Sequence, residues 1–76
     1  SSQKEPLLPE VYQKTQFKKA KILMYLSKNK EAIATFEEVI NMDNSLFQYD
    51  NIAQETNSTL KEKSRMFLRT LLQQKK

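Results

Sequence analysis

The basic side chains near the end of the chain are the first residues whose type and spacing could do chemistry. Lys61, Lys63, Arg65 and Arg69, followed by Lys75 and Lys76, form a run that could contact the phosphates of a nucleic acid or of acidic membrane lipids. No aromatic rings for base stacking are interleaved with it, because Phe67 belongs to the apolar positions of the same stretch. The alternative is a solvated face that pairs with the acids of a neighbouring helix. The acids themselves offer no catalytic pair. Glu37 and Glu38 are adjacent, so on a helix they point about 100° apart, and Glu31 and Glu38 stand two turns apart. Tyr12, Tyr25 and Tyr49 have no base beside them in sequence.

Composition removes further chemistry. With no Cys and no His, thiol nucleophiles, disulfides, the common zinc sites and imidazole bases are excluded, and neither an enzyme nor a cofactor or metal is expected. Gly is absent too, although it averages about 7% of ordinary sequences. Hairpin-rich sheets and phosphate-cradling loops need it for positive φ or close backbone approach. The composition is therefore that of an all-α protein. The longest apolar run, Ile22 to Leu26, is far short of the roughly 20 residues that span a bilayer, so no transmembrane segment is expected. Compartment is not legible from cysteine usage, and an intracellular setting is the expectation.

A chain of 76 residues makes one small domain, which buries little core unless its helices are nearly ideal or something else supports them. Residues 1–8 lack periodicity and read as a flexible arm or the cut edge of a longer chain, leaving a single four-helix domain over 9–76. Pro9 suits a first helical turn, with Glu10 favoured there by the helix dipole. Helix 1 is expected over about 9–27, with two apolar faces. Phe17, Ala20, Leu23 or Met24 and Ser27 mark one; Val11, Thr15, Ile22 and Leu26 mark the other, which suggests a helix sandwiched between neighbours. Asn29 is the expected cap of helix 2, over about 30–42, whose stripe is Ala32, Ile33, Phe36, Val39 and Ile40. Ser45 with Gln48 reads as a capping box for helix 3, over about 46–56, with Leu46, Tyr49, Ile52 and Ala53 inward. The turn formers Thr56-Asn57-Ser58 then end it, and Thr59 with Glu62 opens helix 4, over about 60–74.

Charge alternates along these segments. Residues 1–30 hold seven Lys and two Glu, residues 31–60 hold six acids and no Lys or Arg, and residues 61–76 hold six bases and Glu62. In an up-down helical chain, such blocks place opposite charges on neighbouring helices, each exposed pair contributing under about 1 kcal/mol.

The stretch over residues 13–45, centred on Ala20 to Asn44, resembles a tetratricopeptide repeat, a helix–turn–helix unit of about 34 residues. Ala20 stands at the family's small position in helix A, Leu23 at the large one a turn later, Ser27 at the frequent turn glycine and Ala32 at the small position of helix B. Ile33, Phe36, Val39 and Ile40 fill the positions that pack back on helix A, and Met42-Asp43 imitates the usual ending. Gln16, Lys19 and Asn44 depart from the pattern. A second, degenerate unit can be traced over 46–74 through Tyr49, Ile52, Ala53, Ser64, Leu68 and Leu71. The fold expected is thus antiparallel helix hairpins in about two tetratricopeptide-like repeats, the alternative being a four-helix up-down bundle in which helix 4 closes on helix 1.

The resemblance implies a non-catalytic protein–protein interaction module or a piece of a larger helical-repeat scaffold. A peptide or helix would lie in the groove of the A helices, lined by Phe17, Lys21, Met24, Tyr25 and Asn51. Asn51 matches by position one asparagine with which some family members clamp a carboxylate, while Phe17 and Lys21 replace other clamp residues. Repeat proteins usually need three or more units, so further repeats of a longer chain, or another chain (a second copy included), should cover the exposed faces.

Overall fold

A computed structural model describes residues 8–74. It is all-α: α1 (Pro9–Tyr25) and α2 (Asn29–Ile40) form an antiparallel hairpin, a short 3₁₀ turn (Asn44–Phe47) follows, and α3 (Asn51–Gln74) runs back along both. The arm expected over 1–8 lies outside the described residues except for Leu8, as do Lys75 and Lys76.

The hairpin turn is built without glycine. Ser27 takes φ 67°, the only positive value among the described residues. Its N–H donates to the Met24 carbonyl, and that of Lys28 donates to the Leu23 carbonyl, 3.0 and 2.9 Å away. This is the Schellman arrangement, which satisfies two of the orphan carbonyls at the end of α1. Asn29 is the first residue of α2 rather than its cap, and no side chain caps that end. The capping is done further on by two aspartates: Asp43 Oδ1 accepts from the Ser45 N–H at 3.0 Å, and Asp50 Oδ1 accepts from the Ala53 N–H at 2.6 Å.

The expected helices 3 and 4 do not form as separate elements. Residues 44–47 are 3₁₀, and a single helix of 24 residues passes straight through Thr56-Asn57-Ser58 and the supposed capping box Thr59/Glu62. Two physical reasons account for this. The inward positions Ala53, Asn57, Leu60, Ser64, Phe67 and Leu71 recur at alternating spacings of four and three without a phase break, so one stripe serves the whole length. The penalty for Thr, Asn and Ser inside a helix is at most about 0.7 kcal/mol each, and Asn57 turns its amide to other elements instead of its own backbone. The 3₁₀ turn also changes which residue points inward. Phe47 is fully buried, whereas Leu46, Tyr49 and Ile52, expected inside, are exposed.

The core centres on one phenylalanine from each helix. Phe17 meets Phe36 edge-on at 6.0 Å between centroids, Phe67 stacks on Phe36 at 5.3 Å with 13° between planes, and Phe17 and Phe67 are 6.0 Å apart. Ala20 and Ala32 are completely buried in the core that α1 and α2 share. Because α1 touches α3 through Phe17 and Phe67, the chain closes into an up-down-up arrangement of three helices, and the second hairpin of a two-repeat layout is replaced by one long helix. The result is a slab of 41 × 31 × 15 Å.

Candidate interaction surfaces

A polar cluster ties all three helices to the 3₁₀ turn. Gln13, wholly buried on α1, donates from Nε2 to Asn57 Oδ1 at 2.8 Å and to the Val39 carbonyl at 3.4 Å. Asn57 Nδ2 donates to Asn44 Oδ1 at 2.8 Å. Lys61 Nζ donates to the same Asn44 oxygen at 2.7 Å and to the Met42 carbonyl at 2.6 Å, just beyond the end of α2. Burial, and secondarily repulsion from Arg65, hold the Lys61 pKa below its ordinary 10.5. Within this buried setting Gln13 Oε1 has no hydrogen-bond partner among the described residues, and neither does Ser64 Oγ further along α3. Gln13 has no place in the apolar stripes expected from the sequence, and Asn57 stands there among turn formers. The signal that would have found them is their place at four-and-three spacing between apolar neighbours.

The five residues expected to line a partner groove do not act together. Phe17 is 8% exposed and belongs to the core, packed by Phe36 and Phe67. Lys21 is half-buried with its ammonium 5.5 Å from the centre of the Phe17 ring, a cation–π contact. Met24 is half-buried against the core, and Tyr25 is 71% exposed at the end of α1. Asn51 opens α3 and is exposed; it lies about 200° round the helix from Ala53 and so points away from the buried side.

The four basic residues of α3 also separate. Lys61, Arg65 and Arg69 follow one another at spacings of four and share a line along the helix, but Lys63, two residues from its neighbours, projects to another side. Lys61 is engaged in the polar cluster, while Arg65 and Arg69 are exposed. Among the described residues the only ion pair is Lys14 with Glu10 at 3.6 Å, within α1. Among the described residues, the alternating charge blocks therefore form no ion pair across helices. Glu38 instead accepts a 2.6 Å hydrogen bond from Gln16 Nε2.

Two hollows lie along this line of α3. A polar cleft of about 660 Å³ between the 3₁₀ turn and α3 is lined by Gln48, Gln54, Ser58, Lys61, Glu62 and Arg65, with Asn44 and Asn57 at its base. A shallower depression of about 380 Å³ follows, lined by Arg65, Leu68, Arg69, Leu72 and Gln73. Apolar side chains are uncovered elsewhere. On the outer side of α1, Val11, Ile22 and Leu26 are exposed (Ile22 by 56%), continuing the line of Leu8. This is the second apolar face of helix 1, and nothing among the described residues packs on it.

Among the described residues no group of three or more His, Cys, Asp or Glu could hold a metal ion, and no helix is long and apolar enough to cross a membrane. No family model, no curated protein and no solved structure matches the chain.

Proposed function

We propose that the chain is a non-catalytic protein–protein interaction module whose α1–α2 hairpin is a tetratricopeptide-like unit. The outer face of α1 is the surface on which a partner protein or a neighbouring repeat packs. The observation that carries this reading is the exposed stripe of Leu8, Val11, Ile22 and Leu26 on a helix whose opposite face already fills the core. Leaving a side chain such as Ile or Leu in water instead of burying it forgoes about 1.5–3 kcal/mol each. Two apolar pairs, Leu8 with Val11 and Ile22 with Leu26, stand on one side of the helix with Thr15, Lys18 and Lys19 between them, and a partner packed along α1 would cover both. The completely buried Ala20 and Ala32 and the left-handed Ser27 support the hairpin likeness, since these are the positions where the repeat pattern places small or glycine-like residues.

The test is a photo-reactive phenylalanine analogue placed at position 22 and, as a control, at exposed position 37, each exposed to cell extract. A discrete adduct is expected from position 22 only. Identical diffuse labelling from both positions, together with a monomeric chain in sedimentation, would overturn the proposal.

A further inference from the structure

We propose that the line of α3 running from Lys61 to Leu72 is a binding track for an acidic, amphipathic peptide segment of a partner protein, distinct from the outer stripe of α1. Arg65 borders both the polar cleft and the depression beyond it, so the two hollows are neighbours along one side of the helix. Its cations stand four residues apart, about 6 Å along the axis at each step. That spacing matches successive turns of a helical peptide that carries its acids at the same interval.

The electrostatics of the track are unbalanced. Neither Arg65 nor Arg69 has a carboxylate within ion-pair distance among the described residues, and Lys61 sits beside Arg65 on the same face. Like charges four residues apart on a helix repel, and that repulsion contributes to the low Lys61 pKa. A carboxylate laid between Lys61 and Arg65, or between Arg65 and Arg69, converts the repulsion into two charge-assisted hydrogen bonds.

The remaining lining selects the kind of anion. Leu68 and Leu72 offer an apolar seat flanked by the two arginines, which suits a Leu- or Phe-bearing acidic segment. At the other end, Gln48, Gln54 and Ser58 offer amide and hydroxyl partners for peptide groups. None of the chain's aromatic residues lines either hollow, so a nucleic acid would find no ring to stack on, and Glu62 at the rim opposes a uniform polyanion. A second copy is the poorer occupant, because each copy carries a formal charge of +4 and would leave that excess unneutralised.

The experiment is fluorescence anisotropy with a fluorescein-labelled peptide of repeating Glu-Glu-Leu-Ala, which places acids and leucines four residues apart, run beside a Gln-Gln-Leu-Ala peptide, a short DNA duplex and vesicles containing phosphatidylserine. Saturable binding of the acidic peptide is expected, weakened at least about tenfold in Arg65→Glu/Arg69→Glu and less than about twofold in Lys63→Glu. Helix content by circular dichroism and the milder pair Arg65→Gln/Arg69→Gln guard against misfolding; the milder pair should still weaken binding several-fold. Equal loss in the Lys63 variant would reduce the effect to net charge and overturn the proposal. So would tighter binding of the duplex or vesicles through the same arginines, a dimer abolished by the arginine variants, or no binding of the acidic peptide.

Discussion

Gln13 and Asn57, 44 residues apart in sequence, share a 2.8 Å hydrogen bond inside the core. Each occupies a seam position where its neighbours four and three residues away are Phe17 on one helix and Ala53 and Leu60 on the other. A polar pair at such a position satisfies itself in only one alignment, so it fixes the register of α3 against α1. A sliding apolar stripe would not.

Removing one partner leaves the other stranded. Gln13→Leu deprives Asn57 Oδ1 of its donor and is expected to cost about 1–3 kcal/mol, read as a lower urea midpoint. Asn57→Leu should cost a similar amount. The double variant is expected to recover part of the loss, with a coupling of about 0.5–3 kcal/mol in the cycle. Strict additivity would show that the bond does not matter to stability.

Continuity of α3 is checked at Ser58, an exposed position in the middle of the helix. Inside a helix, Ser58→Ala and Ser58→Gly should differ in stability by about 1 kcal/mol, Ala being the more stable. At a turn between two helices Gly would do as well as Ala or better. Thermal melts of the two variants decide between these outcomes.

Ser27 holds a left-handed conformation that costs a non-glycine residue roughly 1–2 kcal/mol. Ser27→Gly relieves that strain against a larger loss of chain entropy, so a net gain of about 0.5–1 kcal/mol is expected. A melting temperature at or below that of the unchanged chain would contradict the Schellman geometry.

The Asp43 carboxyl titrates below its ordinary 3.8, chiefly because the Ser45 N–H donates to its charged form. With the folded value depressed, the unfolded chain binds more protons as acid is added. The stabilisation from this group is therefore present above 3.8 and is lost as pH falls through the folded value. Asp43→Asn keeps an acceptor but cannot titrate, so its stability should fall less steeply as the pH drops below 3.8. Parallel pH profiles for the two chains would refute the assignment.

The all-α class and the first hairpin were legible because Ala20, Ala32, Phe36 and Val39 are apolar or small residues at helical spacing, and packing follows that pattern directly. Other features were hidden for particular reasons. Asn57 belongs by propensity to turns, and only a partner on another helix makes it a helix residue, which is a tertiary fact. Phe47 turned inward because a 3₁₀ turn shifts the phase that an α-helical stripe would have given Leu46 and Ile52. Phe17 looked like groove lining because a sequence does not show which of two apolar faces the third helix will cover. The basic run of α3 was visible as composition, but Lys63 separates from Lys61, Arg65 and Arg69 only when each is placed on its side of the helix.

The two halves of α3 are held by different mixtures of forces: the first adds hydrogen bonds from Asn57 and Lys61 to the burial of Ala53 and Leu60, and the second rests on the apolar contacts of Phe67, Leu68 and Leu71. Apolar burial loses strength on cooling, whereas hydrogen bonds do not share that dependence. One uninterrupted helix therefore has a cold-sensitive end and a cold-tolerant end, and chilling should loosen it from Leu71 before it disturbs Asn57.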